Sequence, residues 1–321
     1  MKLFITGASG FVGGAIVNKL AHKHTILAMS RSESSDARIK GLGAKPVRGS
    51  LDNLEGIDLT GVDCIVHCAA FVGPWGSRKD FFKGNVEGTR ALLDAASQAG
   101  VRRFIHMGTE AALFRGQNMH EIDETYPYPA RTPYLYSESK GEAERLVLNY
   151  ESGMERIVLR PRFVWGPGDT SVRRVLKQMV DEGKFMWIGG GTALTSTTYI
   201  DNLVHAVELA LTAGRSGRAY FITDGENRTF KEFLTAMMDT QGVRLPEKKI
   251  PAWLASTAAR LVEGSFRMVG AKSEPPLMRF PTDLMGRECT IRIDRARQEL
   301  GYEPIVTVEN GMQALRAEVA N

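Results

Sequence analysis

Apolar and polar positions fall into alternating blocks along the first half of the chain. Leu3–Thr6 reads as a short buried strand, and Phe11–His22 as a helix whose apolar Val12, Ile16, Val17 and Leu20 recur at helical spacing. His24–Met29 and Lys45–Val47 read as the next two strands. Val62–Ala69 is a nearly continuous apolar run, as a strand covered on both faces requires. Gly84–Ala99 is helical, Arg103–Met107 a strand, Tyr136–Tyr150 a long helix and Arg156–Arg160 a further strand. This β-α-β order predicts an α/β protein with a Rossmann-type doubly wound parallel sheet and right-handed crossovers.

After Trp165 the pattern changes to loops rich in Gly, Pro and aromatics, followed mostly by helices. Asp201–Leu211 reads as a helix N-capped by Asp201, Arg218–Ile222 as a late strand, and Pro251–Val269 as an apolar-rich helix. The expected division is a dinucleotide-binding domain over 1–165, with 195–223 returning to it. The remainder, within 166–321, is expected to form a smaller, mixed, mostly helical substrate lobe.

Composition narrows the function. With 43% apolar and 24% charged residues the chain is an ordinary globular sequence. Its net charge of +4 is dispersed, with no dense Lys/Arg block, so no nucleic-acid partner is expected. No apolar run approaches the roughly 18–20 residues of a membrane span, and no leader precedes the first strand, so a cytoplasmic location without an integral membrane segment is expected. Cys64, Cys68 and Cys289 lack zinc-ligand spacing; they read as reduced core thiols, with no metal site.

Candidate chemistry sits at two places. Thr6-Gly7-Ala8-Ser9-Gly10-Phe11-Val12-Gly13 joins the first strand to the first helix. Gly7 permits the tight turn, Gly10 lets backbone approach a pyrophosphate, and Gly13 lets the helix pack close; Ser9, Phe11 and Val12 complete the turn. The second strand ends Met29-Ser30-Arg31-Ser32, with no carboxylate for a ribose 2′-hydroxyl but a guanidinium suited to a 2′-phosphate, and Arg38 follows. NADP(H) is therefore expected, with NAD the alternative.

The second place is Tyr136-Ser137-Glu138-Ser139-Lys140, whose phenol and ammonium at i and i+4 share a helix face. Reduction of a ketone leaves an alkoxide that needs a proton; Tyr136 can donate it, and a neighbouring Lys140 cation is expected to lower the phenol pKa. Thr109, after the strand Arg103–Met107, can hold the substrate oxygen. Glu110 is either a second acid–base group near the substrate or a cap for the next segment. His106 reads as a packed and satisfied core side chain. Phe71-Val72-Gly73-Pro74-Trp75-Gly76, with Trp165 and Trp187, suggests an apolar substrate wall.

In combination these motifs resemble the extended short-chain dehydrogenase/reductase superfamily, also called the NAD-dependent epimerase/dehydratase family, over nearly the whole chain. The resemblance implies a Ser/Thr-Tyr-Lys catalytic set at Thr109, Tyr136 and Lys140. It places Cys68, Ala69 and Ala70 beside the adenosine, Asn85 at a family helix position, and Pro161 and Val164 at the nicotinamide. Ser50 and Leu51 stand where the family usually has an acidic residue reaching the adenine. A homodimer through the central helices is also implied. Arg31 and the apolar C-terminal helix are similar to the 3β-hydroxysteroid dehydrogenase and dihydroflavonol reductase branch, whose chemistry would be ketone–alcohol interconversion on a hydrophobic small molecule. A nucleotide-sugar epimerase with tightly bound NAD is the competing enzyme reading, and a non-catalytic NADP(H)-binding sensor the competing reading of another class.

Overall fold

The computed structural model describes every residue of 1–321 except Pro74, Thr170, Lys272 and Asn321. The described residues form a seven-stranded parallel sheet: β1 Lys2–Thr6, β2 Thr25–Ser30, β3 Lys45–Arg48, β4 Cys64–His67, β5 Arg103–Met107, β6 Glu155–Pro161 and β7 Arg218–Ile222, in the order β7-β6-β5-β4-β1-β2-β3. β4 and β5 are buried at every residue, because helices cover both faces. Register is set so that Thr6 lies opposite His67, and His67 opposite His106. The strand C-termini therefore end together and open a cleft where β1 and β4, whose chain connections run to opposite sides, separate.

The twelve helices are α1 Phe11–Leu20, α2 Glu33–Gly41, α3 Arg78–Phe82, α4 Gly88–Gln98, α5 Leu135–Asn149, α6 Ser171–Asp181, α7 Ile200–Ala210, α8 Phe230–Asp239, α9 Ala252–Met268, α10 Arg279–Met285, α11 Asp294–Leu300 and α12 Val308–Ala320 among the described residues. Leu3, Ile5, Val66 and Ile105 pack with Ile16 and Val17 of α1 and Leu203 and Val207 of α7. On the other face Phe4, Ile65, Phe104 and Val158 pack with Leu92 and Leu93 of α4 and Val147 of α5. The alternation of the two sets along each strand is the period of two expected of a two-faced sheet.

Two local expectations are corrected. Asp201 does not cap α7: the N-cap is Tyr199, and Asp201 sits in the first turn, 3.9 Å from Lys19 Nζ. The helix expected over Gly84–Ala99 begins with a π-helical turn, Lys83–Glu87, and becomes α-helical at Gly88.

The C-terminal lobe packs around Trp165, Phe230, Phe233 and Met237. Beside its helices lies a four-stranded mixed sheet of Asn227–Thr229, Leu194–Ser196, Cys289–Ile291 and Met119–Ile122. Its last strand comes from the first half of the chain, so the two lobes are sewn together next to the strand ends. No helix among the described residues is long and apolar enough to cross a membrane.

Candidate active site

A cleft of about 1280 Å³ lies along the C-terminal ends of β1, β2 and β4. Gly7, Ser9, Gly10, Phe11, Val12 and Gly13 line one side, Arg31 one end, Ser50 and Leu51 the floor, and Cys68, Ala69, Ala70 and Phe71 the other side. The glycines are sterically required. Gly7 has φ +72°, and a Cβ there would meet the Ala69 nitrogen at 2.8 Å. A Cβ on Gly13 would meet the Gly7 carbonyl oxygen at 2.4 Å. Only hydrogen at both positions lets α1 begin directly over the turn, with its free N–H groups facing the cleft, as an anionic pyrophosphate needs. The shape and donors of this turn fit a dinucleotide.

Arg31 is exposed and makes no hydrogen bond or ion pair among the described residues, so its fork is free at the cleft rim. Arg38 is different: it sits in the last turn of α2, exposed and not among the residues that line the cleft. Ser30 is buried and donates to the Ser32 carbonyl at 3.1 Å rather than facing the cleft. Asp52, beside Leu51, does line the cleft, so a carboxylate is present two residues beyond Ser50.

Asn85 does not line the cleft. Buried in the π-turn, it accepts from Phe71 N at 2.6 Å and donates to the Phe71 carbonyl at 3.1 Å and to Ser139 Oγ at 2.9 Å. It clamps the loop after β4 to the helix that carries Tyr136 and Lys140. Pro161 and Val164 lie past the cleft, at and just beyond the end of β6.

Three side chains converge at the end of β5. Lys140, buried on α5, donates from Nζ to the Met107 carbonyl at 2.7 Å. Thr109, two residues further along the chain, lies beside the Tyr136 phenol and acts to lower its pKa. Thr109 Oγ1 also donates to Glu110 Oε2 at 2.9 Å and accepts from Ala111 N at 3.2 Å, capping the short 3₁₀ turn Glu110–Leu113. Burial pulls the Lys140 ammonium down to about 8 against the opposing charge of Glu144, one turn along α5. The expectation that Lys140 lowers the Tyr136 pKa is corrected: burial and the Glu110 carboxylate raise it, and Thr109 only partly opposes them. The phenol is therefore held neutral.

Glu110 does not face the cleft. It is buried and paired with Arg162, Oε1 to Nη1 at 2.5 Å, while Arg162 Nε donates to Thr195 Oγ1 at 2.9 Å. Trp165 and Trp187 are likewise not pocket walls: they are 0% and 2% exposed and form the core of the C-terminal lobe, with Trp165 Nε1 donating to Asp224 at 3.0 Å. Of the proposed aromatic wall, Phe71 and Trp75 do line the cleft, whereas Pro74 lies outside the described residues. His106 is packed as expected but not satisfied: both ring nitrogens are buried without a hydrogen-bond partner among the described residues, and burial pushes its pKa well below the ordinary value.

Sequence reasoning missed Phe280. It comes from α10 and lies with its ring centroid 5.4 Å from that of Tyr136. Behind it Phe114 and Tyr134 stack at 5.3 Å, and Tyr134 donates to Asp283 at 2.6 Å. No local signal marks Phe280, because its partner is about 140 residues away in sequence. Glu144 was accessible to reasoning, since it follows Lys140 at i+4. It also accepts from Arg160 Nε at 2.7 Å and from the Tyr128 hydroxyl at 2.5 Å, anchoring α5 to β6.

This arrangement can be set beside known proteins. Residues 4–252 match the model of the 3-beta hydroxysteroid dehydrogenase/isomerase family. The chain belongs to that family. It is thus an NAD(P)-dependent oxidoreductase of the extended short-chain dehydrogenase/reductase type. Among relatives of this family member, the 4-hydroxy-2-methyl-3-oxo-4-farnesyl-3,4-dihydroquinoline-1-oxide ketoreductase of Stigmatella aurantiaca is 36% identical over 98% of this chain and 96% of its own. The 2-alkyl-3-oxoalkanoate reductase of Stenotrophomonas maltophilia is 31% identical over 100% of both chains. The crystal structure of gox2253 superposes with a TM-score of 0.78 at 28% identity, covering 98% of each chain. The NAD complex of a Bacillus cereus UDP-glucuronic acid 4-epimerase superposes with a TM-score of 0.75 at 20% identity, which is a likeness of fold.

Proposed function

We propose that this protein is an NADP(H)-dependent ketoreductase acting on an apolar small molecule, with Tyr136 as the proton donor. The convergence of Thr109, Tyr136 and Lys140 at the end of β5, the strand next to β4 whose following loop Cys68–Phe71 lines the cleft, carries this reading, although none of the three lines the cleft itself. Bound nicotinamide supplies the hydride. The turn from Gly7 to Gly13 would hold the pyrophosphate through backbone N–H groups, and Arg31 the 2′-phosphate. Lys140, a cation below about pH 8, would donate to ribose hydroxyls while staying anchored on the Met107 carbonyl.

Tyr136 then has one task. A carbonyl oxygen that accepts negative charge becomes an alkoxide, a stronger base than phenolate, and takes the phenol proton. A phenol kept neutral by burial and by Glu110 holds its proton before the carbonyl is reduced. Thr109, whose proton goes to Glu110 and whose oxygen accepts from the Ala111 amide, would donate to the same oxygen only after letting go of Glu110. Phe280 on the Tyr136 ring, backed by Phe114 and Tyr134, gives the substrate side an apolar aromatic surface. The names of the two relatives above, reductases of a farnesyl-bearing ketone and of 2-alkyl-3-oxoalkanoates, support an apolar ketone as substrate class.

The test is Tyr136→Phe, assayed by NADPH oxidation with a long-chain 2-alkyl-3-oxo acid. Turnover is expected to fall by about 10²–10⁴-fold while NADPH affinity stays within about twofold of the parent. Turnover that survives the substitution would remove Tyr136 from the mechanism.

A further inference from the structure

Glu110 and Arg162 are 3% and 1% exposed and form an ion pair beside Thr109. Burying two charges costs so much desolvation that apolar residues of similar volume often serve stability as well. The place of this pair, against a hydroxyl of the reacting site, points to a task there. Its position is fixed from both sides. Arg162 N donates to Thr198 Oγ1 at 3.0 Å, and Thr198 Oγ1 donates to the Ile222 carbonyl at the end of β7 at 2.7 Å. Phe163, directly after Arg162, has φ +44°, a left-handed conformation that a bulky residue adopts only where its surroundings impose it.

Hydrogen-bond direction through this cluster has one solution. A guanidinium has only donors and a carboxylate only acceptors. Arg162 donates from Nη1 to Glu110 Oε1 at 2.5 Å and from Nε to Thr195 Oγ1 at 2.9 Å, and Thr195 passes its own proton to the Ser196 carbonyl at 3.0 Å. Glu110, the carboxylate opposite the guanidinium, accepts with its second oxygen, Oε2, from Thr109 Oγ1 at 2.9 Å. A hydroxyl has one proton. While Glu110 holds it, Thr109 can accept, as it does from Ala111 N at 3.2 Å, but has nothing to donate to a ketone oxygen.

Charge decides which oxygen wins that proton. Hydrogen bonds to a charged acceptor are roughly twice as strong as neutral ones. A neutral ketone oxygen therefore loses to the Glu110 carboxylate, whereas an oxygen that is becoming an alkoxide competes with it. When Thr109 turns away, Arg162 still compensates the Glu110 charge. Thr109 keeps its proton throughout; the one that ends on the alcohol comes from Tyr136.

We propose that Glu110 is a positioning residue that withholds the Thr109 hydroxyl from a bound ketone and releases it as the oxygen turns into an alkoxide. The hydrogen bond is then made in the transition state and not in the ground state, which raises kcat without tightening substrate binding. This rests on the ketoreductase reading with Tyr136 as proton donor. Ketone affinity is measured by titrating a long-chain 2-alkyl-3-oxo acid into enzyme loaded with NADP+, where no hydride is available, and kcat by NADPH oxidation. Thr109→Val should lower kcat by about 10²–10³-fold, the usual cost of one oxyanion donor, and leave the dissociation constant of the ketone within about twofold. Glu110→Gln offers Thr109 a neutral, weaker acceptor, so the hydroxyl can turn to the ketone. Its dissociation constant should fall by about 3- to 10-fold, as for one neutral hydrogen bond, and Thr109→Val in that background should reverse the gain. The E110Q/R162Q double variant removes both charges and makes the same comparison where an unpaired Arg162 destabilises the single variant. A merely structural Glu110 would leave ketone binding unchanged or weaken it. Either of those outcomes, or a Thr109→Val variant of the parent that loosens the ketone by more than about fivefold, overturns the proposal. Failure of the ketoreductase reading shows differently, as a parent NADP+ complex that binds no apolar ketone or as turnover that survives Tyr136→Phe.

Discussion

Arg31→Ala is the most direct test of the cofactor assignment, because the structure makes its outcome one-sided. Arg31 is exposed and makes no ion pair or hydrogen bond among the described residues, so removing it breaks nothing in the protein itself. Stability should stay within about 0.5 kcal/mol, as for surface substitutions away from special contacts. What is lost appears only when a phosphate lies at the cleft rim. A charge-assisted hydrogen bond contributes about 1.5–3 kcal/mol, equivalent to roughly 10- to 150-fold in affinity. Titration of NADPH and NADH into parent and variant, followed by fluorescence, gives four dissociation constants. NADPH affinity should fall by that factor and NADH affinity should change by less than about twofold. The salt dependence of NADPH binding should also weaken, because one counter-charge to the phosphate is gone. Equal effects on both cofactors, or none on either, would refute the placement of the 2′-phosphate at Arg31.

Other expectations follow from the same geometry. Gly13→Ala sets a methyl 2.4 Å from the Gly7 carbonyl oxygen, a backbone atom that cannot rotate away; overpacking of this kind costs about 1–3 kcal/mol, visible as a lower unfolding midpoint together with weaker cofactor binding. Glu110→Ala leaves the Arg162 guanidinium buried without its counter-charge, and loss of one partner of a buried pair costs about 3–5 kcal/mol; a denaturant titration showing less than about 1 kcal/mol would mean the pair is not holding the β6 end. Lys140, pulled down by burial to about 8, loses its charge as pH rises through that value, so NADPH affinity should decline above about pH 8 by calorimetry, and Lys140→Arg should keep it level to pH 9.5. The sign for stability is opposite: between about 8 and the ordinary 10.5 the unfolded chain binds more protons at this lysine, so its contribution to stability increases with pH across that window.

The sheet was legible because its strands carry their own signature. Continuous apolar runs at β4 and β5, a glycine turn after β1 and amphipathic helices between them are all local patterns, and a parallel sheet covered on both faces is their simple sum. The short strands of the C-terminal lobe carry no such pattern, since three or four residues cannot show a period, and their pairing joins segments as distant as Met119–Ile122 and Cys289–Ile291. Spacing alone brought out Tyr136 and Lys140 as one helical face, because i and i+4 are neighbours whatever the rest of the chain does. It could not say which charges surround them.

That was decided by tertiary packing. Glu110, adjacent in sequence to Thr109, turns away from the cleft to pair with Arg162, and burial, with the Glu110 carboxylate adding to it, raises the Tyr136 pKa. Trp165 and Trp187, read as pocket residues because aromatics often line pockets, are consumed by the lobe's own core. Phe280 lies beside Tyr136 through a contact that no local pattern encodes. The sequence by itself therefore determined the fold, the glycine turn after β1 and the shared helical face of Tyr136 and Lys140, all of which depend on near neighbours. The electrostatics and the walls of the site depend on which distant side chains share a low-dielectric interior, and only the folded chain brings those together.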